Sequence, residues 1–429
     1  DALRPDACDG YVLTPLGQAT LGRIFDGLGE GRTERAWTLT GPYGVGKSAF
    51  VVLLAQLLNG TSESSALGAL QSADRGLERR LQQLRGSSRG FCPVLVSGTY
   101  GPLLPALLDA VERAILGMFR PSAHQHILLR ELRGLRVSRA KTADLHRRAV
   151  KLFSDLAEFV HQKHGSGVVI VVDELGKCLE YAARGQGRAD EVFLLQELAE
   201  AASRSGARPI LLVTLLHQAF DRYAKDLAAE TRAEWVKVQG RFEDVAFLDA
   251  PGELLRLAAR SIRRRDDLPP ERYRHYDALA AEAVVLGLAP AEQQATLRQL
   301  APLHPTAALL LPGLCRGPLA QNERSLFGFL TSTADGAFGA FLASPLAGAD
   351  SSPAYTVDLL YDFVAETLGP AQYTLSTGRH WAAIDEAIAR LPAGEPAMSA
   401  RLIKAIGLLG LLGSRAVRAS RAVLSFALD

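Results

Sequence analysis

Cysteine is scarce in this chain of 429 residues, and the four that occur do not form a recognisable site. Cys8, Cys92, Cys178 and Cys315 lie far apart, with no paired spacing and no adjoining histidines. A zinc site needs closely spaced cysteines or histidines, and a disulfide framework needs a denser set of cysteines. The spacing argues against both, and a reducing cytoplasm is the compartment we expect.

Long apolar runs are also lacking. No stretch reaches about 18 residues without a charge or a turn residue, so the sequence predicts no membrane partner. The first residues show no signal-peptide pattern. The chain begins at Asp1 rather than Met, as a trimmed or processed protein or a piece of a longer one does.

Charge of one sign is not in excess either. Lys and Arg total 48 and Asp and Glu total 46, which gives a net charge of +2 at pH 7. Any contact with nucleic acid must therefore come from local patches. A chain of this length is expected to form two or three domains, and its apolar content is ample for their cores.

One octapeptide has the pattern of a phosphate-binding loop: Gly41-Pro42-Tyr43-Gly44-Val45-Gly46-Lys47-Ser48. Glycines let successive backbone N–H groups turn toward one anion, the lysine reaches the β- and γ-phosphates, and the serine hydroxyl ligates Mg²⁺. A predicted strand, residues 37–40, precedes the octet. A predicted helix opens at Ser48 and Ala49 and adds the positive end of its dipole. The pattern predicts a nucleoside triphosphate site.

A β-branched run further along the chain ends in two carboxylates. The run, residues 168–172, is typical of a strand buried on both faces of a parallel sheet, and Asp173 and Glu174 follow it. Ligands of open α/β sheets bind at the carboxyl ends of the strands. We therefore expect Asp173 to ligate Mg²⁺ beside the Ser48 hydroxyl, and Glu174 to polarise the water that attacks the γ-phosphate. The alternative is that the two carboxylates only begin an exposed loop.

Strand and helix patterns alternate up to about residue 250, and helical patterns dominate beyond it. Further strands are predicted at 91–97 and 209–214, and helices at 103–119, 143–164 and 191–205, whereas 61–89 and 120–141 are polar. Such alternation indicates parallel βαβ units. The predicted domains are a P-loop α/β domain over 1–250, a helical lid over 251–345, and a small, mostly helical C-terminal domain over 346–429.

This order of motifs resembles the AAA+ and STAND superfamily of P-loop ATPases, including its origin-recognition-like branch. The resemblance rests on the octet, a strand at 91–97 between it and the Asp-Glu strand, Val171-Val172-Asp173-Glu174, a polar strand tip and a helical lid. The general layout is also similar to that of BREX-type phage-defence ATPases. The resemblance implies an ATP-hydrolysing, Mg²⁺-dependent protein of the cytoplasm that drives conformational change in a homo-oligomer or larger complex, with a role in anti-phage defence.

The resemblance also implies roles for single residues. Thr214 would sense the γ-phosphate at the tip of its strand, with His217 as a second candidate; the alternatives are that Thr214 is an ordinary β-branched strand residue and His217 a histidine at the start of a helix. The stretch Gln239-Gly240-Arg241-Phe242 is similar to one whose arginine reaches a neighbouring subunit's nucleotide, although Gln239 stands where the family often has proline. Arg241 is therefore the expected arginine finger. Lys237 and Arg232 are the alternatives, and an exposed structural arginine is a further possibility.

Other family positions fall in the lid and at the N-terminus. Arg324 would be a second sensor of the nucleotide, unless its neighbours Asn322 or Ser325 merely cap a helix. His304 stands where a lid helix begins and would lie near the nucleotide. Tyr11 and Val12 would flank the adenine, or would pack in the ordinary way.

Two questions stay open at this level. Basic stretches at 120–148, 256–265 and 398–428 could follow a DNA backbone or could be solvated faces, and the last resembles the helices of a winged-helix domain. Aromatic residues are not interleaved with them, so a stacking platform for single strands is not supported.

The alternative to an ATPase is a nucleotide-gated switch or scaffold that holds ATP with little turnover and recruits protein partners. A small-molecule kinase fits less well, because it typically lacks a carboxylate pair on a distant strand.

Overall fold

Two compact units make up the chain. The computed structural model describes residues 2–60, 64–138, 141–184, 190–225, 227, 229–263, 270–314, 326–334, 336–344 and 353–428. The first unit runs to Leu248 and excludes the tripeptide Tyr43–Val45, and the second begins at Asp249. None of the helices in these ranges is long and apolar enough to cross a bilayer.

The first unit is built on a five-stranded parallel sheet. Its strands are β1 (Ala36–Thr40), β2 (Phe91–Ser97), β3 (Gly167–Asp173), β4 (Ile210–Leu216) and β5 (Glu243–Ala246). They lie in the order β2-β3-β4-β1-β5, and every neighbouring pair is parallel. Because helices cover both faces, β3 and β4 are buried almost throughout. The predicted α/β class with a parallel sheet is confirmed.

The strand that separates β1 from β3 differs from the one that sequence order suggests. β4 lies between them, while β2, the strand at 91–97, lies at the edge of the sheet beside β3. Thr214 of β4 pairs with Thr38 of β1 on one side and with Val172 of β3 on the other. An additional strand does separate the loop strand from the carboxylate strand. Residues 91–97 come between the two strands in the chain, as predicted, but not in the sheet, because chain order does not fix the order of strands in a sheet.

Helices surround this sheet, and three of them fall in stretches whose sequence is merely polar. The helices are α1 (Pro15–Gly27), α2 (Lys47–Asn59), α3 (Ser65–Ala73), α4 (Arg75–Arg85), α5 (Leu103–Met118), α6 (Ala123–Arg136), α7 (Thr142–Gln162), α8 (Leu175–Ala183), α9 (Asp190–Arg204), α10 (Phe220–Tyr223) and α11 (Ala229–Gln239). These three are α3, α4 and α6; the sequence does not predict α8, α10 and α11 either. In α6 the Ser122 hydroxyl caps the first turn, and leucines at helical spacing are buried beneath an arginine-rich outer face.

The described residues of the second unit form helices joined by loops. Its helices are α12 (Pro251–Ser261), α13 (Pro270–Val285), α14 (Gln294–Gln299), α15 (Pro305–Leu314), α16 (Leu326–Thr331), α17 (Phe338–Ala343), α18 (Val357–Leu368), α19 (Gly378–Ala389), α20 (Ala397–Leu412) and α21 (Arg421–Ala427), with short 3₁₀ segments at Ala291–Gln293 and Gly369–Thr374. An isolated bridge between Leu303 and Tyr355 is the β-pairing found in this part of the described chain.

The predicted boundary near 345 adjoins residues 345–352, which lie outside the described residues. On either side of it, side chains belong to one hydrophobic core, for example the rings of Phe338 and Tyr355, whose centroids are 5.6 Å apart. The division into a lid and a C-terminal domain therefore stays a prediction. So does the winged-helix resemblance, because the described residues from 353 to 428 contain helices but no strand that could form a wing.

Candidate nucleotide site

The loop between β1 and α2 has two glycines in the left-handed region of backbone space. Gly44 has φ of 76° and Gly46 has φ of 88°, a conformation that residues with a side chain rarely adopt. The Gly41 N–H donates to the Leu216 carbonyl at 3.0 Å, so the loop starts against the end of β4. Gly46 precedes α2 and offers no side-chain cap to the first N–H groups of the helix. Such a loop and helix start suit an anion.

Lys47 is held inside this loop. Its side chain is buried, with 5% of the residue exposed, and its Nζ donates to the carbonyl oxygens of Gly41 at 2.5 Å and Pro42 at 2.7 Å. Burial lowers the pKa of Lys47 to about 8, and the negative charge of Asp173 opposes this shift. The ammonium is thus fixed at the loop and lies within electrostatic reach of the carboxyl end of β3. Ser48 and Ala49, on the first turn of α2, are exposed.

Asp173 and Glu174 turn sharply at the end of β3. Glu174 has φ of 53° and ψ of 34°, a left-handed conformation that costs a residue with a side chain about 1–3 kcal/mol and is common at functional sites. The Asp173 carboxylate accepts the Glu174 N–H at 2.7 Å and supports the turn. Directly after the neighbouring strand β2, a Cβ at Gly98 would lie 2.4 Å from the Glu174 carbonyl oxygen, so only glycine allows this approach. The turn is therefore built by two strands together.

His217 lies beside these groups at the end of β4. It is half-buried, and its pKa is lowered to about 4 by burial first and then by the positive charge of Lys47; Glu174 and Asp173 oppose the shift. The ring is therefore neutral at pH 7. The structure brings Lys47, Asp173, Glu174 and His217 together at the carboxyl edge of the sheet.

Thr214 is not at the tip of its strand, and that prediction is wrong. β4 continues to Leu216, because Leu215 and Leu216 still pair with β1. Thr214 is fully buried, and its hydroxyl lies 3.0 Å from the Thr38 hydroxyl and donates to the Trp37 carbonyl at 3.2 Å. Its hydroxyl is used inside the sheet and is closed off from a nucleotide. The first residue beyond the strand is His217, the second candidate.

A test of this assignment compares single and double variants of the threonine pair. Thr214→Val should lower the free energy of unfolding by about 1–3 kcal/mol, because the buried Thr38 hydroxyl loses its partner. The double variant Thr38→Val/Thr214→Val should recover most of that loss, since both polar groups are gone. Urea unfolding measures both. A loss of catalytic turnover in a Thr214→Val protein of unchanged stability would instead restore the sensor role.

Lys177 belongs to the same neighbourhood and has no counterpart in the sequence predictions. Its Nζ lies 2.6 Å from the Glu174 carboxylate, and its positive charge also contributes to the lowered pKa of His217. The signal that could have found it is spacing: Lys177 follows Glu174 by three residues, and a helix begins between them at Leu175.

Arg241 lies at the amino end of β5, whereas Lys47 lies beyond the carboxyl end of β1, at the opposite end of the parallel strands. It comes two residues before β5, whose Glu243 pairs with Trp37 while Ala246 pairs with Thr40, the last residue before the loop. The four residues of β5 span roughly 10 Å at about 3.3 Å per residue, and Arg241 lies two residues before them, further from the loop. Its guanidinium is half-exposed and forms an ion pair of 3.3 Å with Glu200 of α9. Arg241 is thus not part of the site in its own subunit.

The two alternatives for the finger are engaged locally. Arg232 donates to the carbonyl oxygens of Lys225, at 2.7 Å, and Leu227, at 3.1 Å. Lys237 pairs with Glu234 at 2.6 Å within α11. Both contacts are exposed, and neither joins the residues to the group at the carboxyl edge.

The remaining predicted positions differ in outcome. Tyr11 and Val12 are half-buried in the segment before α1, and their part in binding adenine stays a prediction.

His304 is fully buried, its Nδ1 lies 2.6 Å from the Thr306 hydroxyl, and burial lowers its pKa to about 3. A place for His304 at a nucleotide is therefore wrong. Arg324, Asn322 and Ser325 lie outside the described residues.

A protein-only metal cage is not found in the described ranges. They contain no group of three or more His, Cys, Asp or Glu that could hold an ion. The exposed Ser48 hydroxyl and the Asp173 carboxylate are hard oxygen donors of the kind that hold Mg²⁺ jointly with phosphate oxygens. The residues therefore fit an ion that arrives with a nucleotide.

Comparison with known proteins gives little. No protein-family model and no curated protein matches the chain. Among solved structures, it is similar to the ORC2 protein of Aeropyrum pernix, in a structure of its ADPNP-ADP complexes, with 14% identity and a TM-score of 0.36 over 99% of this chain and 88% of that one. A likeness this weak carries no functional information for this chain.

Proposed function

We propose that the chain binds ATP and hydrolyses it at the carboxyl edge of the first unit's sheet. The observation that carries the proposal is the buried Lys47 ammonium, anchored in a glycine loop and within electrostatic reach of Asp173. A buried cation costs free energy unless an anion compensates for it, and a triphosphate is the anion that this loop geometry suits.

The other residues supply the remaining chemistry. Ser48 and Asp173 would hold Mg²⁺, which neutralises the charge that develops on the phosphate oxygens. Glu174 accepts a proton from the attacking water, and the turn at the end of β3 fixes its backbone. His217, neutral at pH 7, offers a ring N–H to the γ-phosphate side of the site.

Arg241 acts, in this proposal, on the nucleotide of a neighbouring copy. It lies on the far edge of its own sheet, and a guanidinium suits the spread charge of the transition state. Hydrolysis therefore requires an oligomer in which one copy's far edge meets the next copy's nucleotide.

Removing the Lys47 ammonium tests nucleotide binding directly. Lys47→Ala should weaken binding of a fluorescent ATP analogue in the presence of Mg²⁺ by about 10- to 100-fold, because a charged hydrogen-bond donor to phosphate is lost. The matched control is Lys151→Ala, since the Lys151 side chain is 71% exposed on α7. If Lys47→Ala and the wild-type protein bound the ATP analogue with equal affinity, this would contradict a nucleotide site in this loop.

The lowered pKa of Lys47 predicts how affinity changes with pH. Below the pKa of about 8 the ammonium is already charged, so affinity should be constant there. Above it, binding must take up a proton, and affinity should fall by up to about tenfold per pH unit. Titrations from about pH 7 to about pH 9.5 measure this. Lys47→Arg should flatten the dependence, because guanidinium keeps its charge; a flat profile for the unchanged protein would be the opposing result.

Partners beyond a second copy stay predictions. In the basic stretch 398–428, Arg401 pairs with Asp358 at 2.7 Å and Lys404 with Asp362 at 2.7 Å, so two of its cations are used inside the unit. In the stretch 120–148, Arg130 and Arg133 are exposed and suit a DNA backbone better. A part in anti-phage defence rests on the sequence resemblance alone.

A further inference from the structure

Lys177 contacts the residue that we propose as the general base. Its Nζ lies 2.6 Å from Oε2 of Glu174, with the lysine and glutamate side chains 44% and 30% exposed. One pair of this exposure contributes little to folding stability, typically about 0.3–0.5 kcal/mol within a helix. The ion pair matters more for geometry than for stability. It fixes one oxygen of the Glu174 carboxylate, and the orientation of this carboxylate matters for hydrolysis.

The backbone under this ion pair is held from three sides. The Lys177 N–H donates to the Glu174 carbonyl at 3.1 Å. That carbonyl lies against Gly98, and a Cβ on Gly176 would come within 2.3 Å of the Tyr223 hydroxyl oxygen. The first turn of α8 therefore cannot shift without disturbing the end of β2 or α10. The backbone of Lys177 is fixed in position as a result.

The consequence lies in how the carboxylate is shared. A carboxylate has two oxygens, and Lys177 engages Oε2. Oε1 is left to accept the proton of a water. A glutamate with several free torsions would otherwise sample orientations in which neither oxygen meets that water, and misplacement by about 1 Å can lower a rate by about 100-fold.

We infer that Lys177 is a positioning residue for hydrolysis, which holds Glu174 so that its second carboxylate oxygen faces the attacking water. This inference rests on the proposed function. Lys177 acts through Glu174 and makes no contact with the nucleotide, so it should affect turnover and leave ATP affinity unchanged.

Three substitutions at position 177 test the inference in the full-length protein. Lys177→Met keeps the stem and removes the charge, and should lower kcat by about two- to fivefold with KM for ATP unchanged, because an ion pair of this exposure holds the carboxylate only weakly. Lys177→Gln should behave in the same way, and Lys177→Arg should restore most of the rate, because it keeps a charged donor. Lys151→Met, on the exposed face of α7, is the control, and thermal unfolding checks that each variant is folded.

A double variant separates a positioning role from a direct one. In a Glu174→Gln background, adding Lys177→Met should cause no further loss, since the group that Lys177 positions is already disabled. A further loss of the same size, or a raised KM, would show that Lys177 acts on the nucleotide and would overturn the inference. So would an unchanged or raised kcat in Lys177→Met. If Glu174→Gln itself hydrolyses ATP normally, the proposed function fails first, and the two failures are distinguishable.

Discussion

Glu174→Gln should lower the rate of ATP hydrolysis by about 10²- to 10⁴-fold and leave ATP affinity close to that of the unchanged protein. The amide has the shape of the carboxylate but cannot take a proton from the attacking water. Phosphate release at saturating ATP measures the rate, and a binding titration measures the affinity.

The structure offers a matched control for this substitution. Glu180 lies on the same helix, α8, and is exposed, so Glu180→Gln should leave both rate and affinity unchanged. Unchanged turnover in Glu174→Gln would refute its role as base. A joint loss of affinity and rate would instead indicate that the turn at the end of β3 had been disturbed.

Arg241→Ala should lower hydrolysis by about 10³- to 10⁵-fold, the range found for arginine fingers, without weakening ATP binding. The reason is the position of Arg241 on the edge of the sheet away from its own Lys47. The control is Arg204→Ala, because Arg204 is exposed and pairs with the same Glu200 at 3.0 Å.

Mixing two inactive variants tests whether this arginine acts between copies. Arg241→Ala subunits keep the loop, and Lys47→Ala subunits keep the arginine, so mixtures should regain part of the activity. The two variants alone should stay inactive at every protein concentration. A mixture as inactive as its components would exclude action between copies.

The local patterns of the first unit were predictable because each strand carries its own signature. Residues 91–97 form β2 with the predicted ends, and β3 ends at Asp173 as its β-branched run implies. The octet likewise falls between a strand and a helix. These features depend on neighbours in sequence, which is what a pattern reports.

Features that depend on pairing were not predictable. The predicted strand ends at residue 214, whereas β4 ends at Leu216, because β1 supplies partners for two more residues. Thr214 therefore lies inside the sheet and outside the site. The edge on which Arg241 lies follows from the pairing of β5 with β1. The left-handed turn at Glu174 depends on Gly98, which follows the distant strand β2 and which nothing in the local sequence around Glu174 reveals.

The helices α3, α4 and α6 were missed for a different reason. Their sequences are rich in polar and charged residues, and sparse apolar positions carry the helical period. In α4 only Leu77 and Leu81, four residues apart, are buried. The Asp74 side chain caps the amino end of the helix. One buried pair and one cap suffice where tertiary contacts stabilise the helix.

The most direct test of the central claim is steady-state phosphate release from ATP and Mg²⁺ by the unchanged protein, beside Lys47→Ala and beside the unchanged protein in EDTA. The proposed site predicts release that saturates with ATP and disappears in both comparisons. Release that persists in Lys47→Ala would contradict it, as would tight ATP binding with no release at protein concentrations that support an oligomer, the behaviour of a nucleotide-gated switch.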